Sequence, residues 1–260
     1  MNFSWTEEPI FCFTSDVDWA SEETLCYSHN LLSGNDLKIT YFNTHPSKFL
    51  DNIQDQGISR QLIHPNFLPN SSHGDTYDEV IEYCKKLVPN AIGFRTHRYF
   101  EVNDIMDKFA KKGFKFFSNH CLRCEPNINP FHHRSGMVSL PIFFEDGGFL
   151  IMSPSLDKQI LESSLSTPGL KIINFHAAHI AFNTPNFQYT RNIKDMMSRE
   201  EWNNIDSTRI QSLANSGIGI RNILQYIIEF IFKRNHKIKT ITEISEEFII
   251  KKNISFLHNE

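Results

Sequence analysis

The stretch Ile10-Phe-Cys-Phe-Thr14-Ser-Asp16-Val-Asp18-Trp19 decides how the rest of the chain is read. Ile10–Thr14 is an apolar run of strand length, and it delivers two aspartates and a tryptophan straight into the next turn. The pattern returns downstream. Leu37–Phe42, Gln61–His64, Ala91–Phe94, Phe114–Phe117, Val138–Phe144 and Leu170–Phe175 also read as strands. Between them, Ser21–Leu32, Ser47–Gln56, Asp75–Leu87 and Val102–Lys112 read as helices. Tyr77, Val80, Ile81 and Cys84 fall on one helical face, and Gly113 stands where a C-cap is expected. Strand–helix alternation predicts parallel strands joined by crossover helices. About seven strands are nearly enough to close a barrel, so an α/β barrel is expected over an open sheet.

Composition narrows the function classes. A 260-residue chain suits one α/β domain, and 40% hydrophobic residues with 23 Phe exclude a disordered one. Charged residues at 22% and a net charge of -4 exclude a protein built to coat nucleic acid or anionic lipid. The longest apolar candidate, Ile218–Phe232, is broken by Arg221, Asn222, Gln225 and Glu229, so no membrane span is expected. Met1–Glu8 lacks the features of a signal peptide, and five cysteines are an odd count, so reduced thiols in the cytoplasm are expected. Twelve His point toward chemistry.

The tail changes character. Ser198-Arg-Glu-Glu201 and Thr240-Ile-Thr-Glu243 each have the form of a capping box opening a helix. The expectation is a single domain over 1–260, with a barrel at about 10–190 and a helical cap at about 190–260.

Four polar clusters follow predicted strands, where parallel α/β folds build their sites. They are Asp16 and Asp18; His64 with Asn66 and, further on, His73; Arg95 with His97; and His176 with His179. One Asp and two neutral His make a catalytic zinc-type site with a position open to water. A second Asp could take a proton from that water, Arg95 could keep it ionised, and a further His could protonate a leaving group. That set would hydrolyse an amide or ester. Each residue has a plainer reading: Asp16 and Asp18 as N-caps, His64 as a turn residue, Arg95 as a surface ion-pair partner, His176 and His179 as core histidines.

The residues together resemble the polysaccharide deacetylases, the NodB-homology or carbohydrate esterase 4 group. Thr14-Ser-Asp16-Val-Asp18-Trp19 is similar to its first motif, which implies Asp16 as general base and Asp18 as metal ligand. His64 and His73 resemble the histidine ligands of the second motif, nine apart here instead of four, with Leu68 at the expected spot. Gly93-Phe-Arg95 resembles the arginine motif, and Asn174-Phe-His176 the last, implying His176 as general acid. The resemblance spans about residues 10–185. It implies a distorted barrel of about seven strands, a divalent metal, and removal of acetyl groups from N-acetylated sugars. Zinc is expected first, with Co2+, Ni2+ or Mn2+ as alternatives. Trp19, Tyr99 and His179 are candidates to contact an N-acylated sugar, with a backbone N–H near Tyr99 for the oxyanion. A deformylase and an inactive carbohydrate-binding relative are the rival readings. Cys121-Leu-Arg-Cys124 has zinc-knuckle spacing but lacks a second suitable pair, so free thiols on a loop are expected. Glu145-Asp-Gly-Gly148 reads as a turn after a strand, and its acids would lie near the site if that strand points the same way.

Overall fold

β1 (Pro9–Asp16) and β9 (Gly169–His176) lie side by side in parallel, with Asp16 directly opposite His176. Both are buried along nearly their whole length, which is why each reads as an almost continuous apolar run. The computed structural model describes residues 3–32 and 37–257, with side chains up to 252. Among them, β2 (Ile39–Asn43), β3 (Arg60–Ile63), β4 (Gly93–Phe94) and β5 (Phe116–Phe117) extend the sheet from β1. β6 (Phe131–His132) and β7 (Val138–Ser139) continue it beyond β5, and β8 (Phe144–Glu145) closes the other side beside β9. The order is β6-β7-β5-β4-β3-β2-β1-β9-β8, parallel throughout except for β6 against β7.

The sheet curls because its flanks meet through irregular backbone pairing. Ile142 N–H donates to His120 O, and Leu122 N–H donates to Ile142 O, both at 2.8 Å. Ten strands are present among the described residues, not about seven. The predicted strand Val138–Phe144 is divided into β7 and β8, and β6 and β10 (Lys237–Ile238) have no apolar run long enough to announce them.

Helices α1 (Glu22–Leu32), α2 (Lys48–Asp55), α3 (Tyr77–Leu87) and α4 (Asn103–Lys111) form where the 3.6-residue pattern indicates. Thr76 and Glu79 form a capping box on α3, whose Val80, Ile81 and Cys84 are buried. Tyr77 was expected on that face but stays 37% exposed at the first turn, its ring edge-on to Phe67. Gly113 adopts φ +87 after α4, a left-handed conformation that glycine tolerates best.

Beyond residue 140 the expected turn at Glu145–Gly148 is a helix start: α5 runs Asp146–Met152, capped by Glu145. Next come α6 (Gln159–Ser166), α7 (Ala177–Ala181), α8 (Phe187–Asp195), α9 (Arg199–Asn203), α10 (Ser207–Leu213), α11 (Ile220–Lys233) and α12 (Ile241–Leu257). Ser198 and Thr240 are both engaged with the glutamates three residues on, as capping boxes require. α11 buries Ile220, Ile223, Leu224, Ile227, Ile228 and Ile231 along one stripe. Each such side chain contributes about 1.5–3 kcal/mol over the exposed state, before conformational entropy is subtracted. The tail is not purely helical, since β10 joins β1 in parallel at Ile10 and Phe11. Among the described residues, no helix is long and apolar enough to cross a membrane.

Candidate active site

The C-terminal strand ends converge as the sequence pattern indicates. Asp16 is the last residue of β1, His176 the last of β9, and His64 and Arg95 directly follow β3 and β4. The β3–β4 register pairs Ile63 with Phe94, which sets His64 beside Arg95.

Arg95 is fully buried and anchored at every branch. Its Nε donates to Ser118 O at 2.9 Å, Nη2 donates to Ser118 Oγ at 2.9 Å, and Nη1 donates to Asp16 Oδ1 at 2.8 Å. The guanidinium lies 4.2 Å above the Phe42 ring centre. Asn174 Nδ2 donates to the other Asp16 oxygen at 2.9 Å. Burial alone would raise the Asp16 pKa, but the Arg95 charge, together with His64 and His176, outweighs it and holds the carboxyl below its usual range.

Asp18 faces two imidazoles. Its Oδ1 lies 3.2 Å from His64 Nε2 and 3.0 Å from His97 Nδ1. Both loops turn sharply to allow this. Asp18 and Trp19 have φ of 44° and 55°, and Arg98 and Tyr99 have 55° and 56°. Non-glycine residues in this region store about 1–3 kcal/mol of strain each, a recurrent feature of functional sites.

Asp18, His64 and His97 place one donor atom each within 4.8 Å of one another. Two imidazole nitrogens about 3 Å from one carboxylate oxygen match the spacing of ligands sharing a single small ion. The other His64 nitrogen, Nδ1, is buried without a hydrogen-bond partner. One carboxylate with two imidazoles suits zinc and related divalent ions.

Across the site, His176 Nε2 sits 3.5 Å from Asp18 Oδ2 and 4.0 Å from Asp16 Oδ2. Its Nδ1 lies 2.7 Å from Asp146 Oδ1, and its backbone N–H donates to Asp146 Oδ2 at 2.7 Å. Asp146 is wholly buried at the start of α5.

Residues 13–194 match a family described as WbmS-like polysaccharide deacetylase. The chain belongs to this family. A crystal structure from Bordetella bronchiseptica, described as a polysaccharide deacetylase involved in O-antigen biosynthesis, shares the fold. It aligns with a TM-score of 0.73 at 24% identity, over 85% of this chain and 90% of that one. A polysaccharide deacetylase structure from Mycobacterium smegmatis aligns with a TM-score of 0.49 at 14% identity, over 93% and 96%. A search among curated proteins yields no match.

In this WbmS-like chain, six of the nine residues singled out from sequence meet at one place: Asp16, Asp18, His64, Arg95, Tyr99 and His176. His73 does not join the ligand cluster. Its Nδ1 accepts from Asn66 N–H at 3.1 Å, and its Nε2–H donates to Thr44 O at 2.7 Å. The ring stacks on Tyr83, and burial lowers its pKa to about 4, so it is neutral and spent on holding its loop to α3. His97 stands in its place, on the 3-10 turn His97–Tyr99, two residues beyond Arg95.

Tyr99 Oη accepts from Asn174 Nδ2 at 3.4 Å, at the inner rim. The Tyr99 N–H itself donates to Thr96 O at 2.9 Å and is occupied within the turn. Trp19 presents its ring edge to His97 with centroids 5.3 Å apart. His179 Nδ1 lies 3.2 Å from Asp146 Oδ2, but out of line for a hydrogen bond. It therefore flanks the carboxylate that holds His176.

Asp146 thus lies near the site, as expected of the acids of Glu145-Asp-Gly-Gly148 if their strand points the same way; its hold on His176 is a contact that the sequence did not indicate. Cys121 and Cys124 are free thiols, the first exposed and the second buried, and burial pushes the Cys124 pKa up to about 12.

Proposed function

We propose that this chain is a divalent-metal-dependent de-N-acetylase acting on an amino sugar of a bacterial surface polysaccharide during its biosynthesis. The observation that carries the reading is the opposition of two differently tuned groups, Asp16 and His176, across the Asp18–His64–His97 cluster. Asp18, His64 and His97 would hold the ion, which when bound supplies Lewis acidity toward water and the acyl carbonyl.

Asp16 is the general base. It accepts a proton from the attacking water, and Arg95 and Asn174 fix both of its oxygens for that task. His176 is the general acid. Burial would lower its pKa, but the Asp146 carboxylate, aided by Asp18 and Asp16, holds it well above the usual histidine value. The imidazolium therefore persists while Asp16 is ionised, and Nε2 can deliver its proton to the departing amine. Tyr99 and Trp19 line the approach for the sugar. Five free cysteines support a reducing, cytoplasmic setting.

The test is Asp16→Asn beside wild type, each assayed on N-acetylated and on N-formylated oligosaccharides, with acetate and formate both measured. The metal-loaded variant should keep its ion and fold while turnover falls by about 100-fold or more. Near-normal hydrolysis would sink the mechanism, and release of formate in place of acetate would reassign the acyl group.

A further inference from the structure

A second recess lies directly beside the cluster of Asp18, His64 and His97. It is a cleft of about 430 Å3 between the loop after β1 and helices α8 and α9. Two indoles shape it. Trp19 follows Asp18 in the chain and meets His97 edge-on, so this wall is shared with the candidate metal site. Trp202 is buried on α9 and donates its Nε1–H to Trp19 O at 3.1 Å, which locks the two walls together.

The polar lining is one-sided in charge. Lys194 and Arg199 both border the cleft, and no acidic residue does among the described residues. Lys194 Nζ stands 5.3 Å from the centre of the Trp202 ring, a cation–π placement that keeps the ammonium at the rim. Asn66 and Asn70 add amides on the opposite side, next to the His64 strand end. Indole faces stack against the C–H faces of pyranose rings, amides bond hydroxyls, and two cations without acidic neighbours in the lining favour an anion.

We propose that this cleft is a subsite for a saccharide unit bearing an anionic group, a carboxylate or a phosphate, adjoining the N-acylated sugar. The proposal rests on the deacetylase reading above and specifies its substrate class.

Binding is best read apart from turnover, in zinc-loaded Asp16→Asn protein by titration calorimetry at low salt. Three ligands are compared: a disaccharide of N-acetylglucosamine and glucose, the same with glucuronate for glucose, and the same with glucose 6-phosphate. At least one acidic ligand should bind about fivefold or more tighter than the neutral one, an advantage that shrinks as salt rises. Preference for glucuronate alone assigns a carboxylate, preference for the phosphate alone assigns a phosphate, and either supports the subsite. In Lys194→Ala/Arg199→Ala the ratio should fall to about one, and in Lys194→Glu/Arg199→Glu it should invert. Equal affinities in the parent, a ratio that survives the double substitution, or no binding of any ligand would overturn the proposal. Failure of the deacetylase reading shows separately, as wild-type protein that binds these ligands yet releases no acyl group.

Discussion

Asp146 grips His176 twice, accepting the backbone N–H with one oxygen and facing ring Nδ1 with the other, each at 2.7 Å. A carboxylate so placed fixes the tautomer, leaves Nε2 pointing across the site, and stabilises the imidazolium. Since Asp146 is itself fully buried, its charge acts on His176 with little solvent screening.

Asp146→Asn should therefore change the pH profile as well as the rate. The carboxylate raises the His176 pKa, so its removal must lower it. The alkaline limb of kcat should move to lower pH, while the acid limb, set by Asp16, stays in place. The rate at the optimum should fall by about 10–100-fold. A profile scaled down without displacement would mean that Asp146 only supports the fold.

His97→Ala and His73→Ala should separate ligand from scaffold. Loss of His97 should weaken zinc binding by about 100-fold or more, read by titration against a chelator and by elemental analysis. Loss of His73 should leave one equivalent of metal bound. It should instead cost about 2–4 kcal/mol of unfolding free energy, because the ring packs on Tyr83 and satisfies Thr44 O. The reverse pattern would return His73 to the ligand set.

Gly93→Ala tests the spacing that places Arg95. An added Cβ would strike the Phe116 ring on the neighbouring strand. The variant should lose about 1–3 kcal/mol in chemical denaturation and show reduced turnover, since Arg95 lies two residues further on. Unchanged stability would show that β4 and β5 can part without cost.

Acid stability should depend on Glu247. Partial burial would raise its pKa, but Lys239 Nζ at 2.6 Å and Lys251 Nζ at 2.8 Å hold it at about 2. A depressed folded-state value stabilises above the unfolded pKa of about 4.3, and that contribution drains away as pH falls from there toward 2. Between pH 6 and pH 3, the wild-type Tm should drop further than that of Glu247→Gln in scanning calorimetry. Equal drops would show that the ion pairs contribute nothing.

Much of this molecule was legible in one dimension. Apolar runs ending in Asp16, His64, Arg95 and His176 identify four strand ends, because parallel strands place their C-terminal residues on one rim whatever the loops do. The helices α1 to α4 and the capping boxes at Ser198 and Thr240 follow from local spacing and capping chemistry, whereas the roles expected of Asp16, Arg95 and His176 rest on the family resemblance. What only the tertiary structure decided is which groups face each other. The sequence pattern offers His73 as the second histidine ligand and does not single out His97. A hydrogen bond to Thr44 O from another strand's loop consumes the first, and the left-handed turn at Arg98 and Tyr99 belongs to the loop that delivers the second to Asp18. Asp146 joins the site only because β8 pairs with β9 and sets Glu145 opposite Asn174, one residue before the helix that starts beneath His176. Periodicity encodes which face of an element is buried; partner choice depends on contacts between residues more than a hundred positions apart, and no local pattern records those.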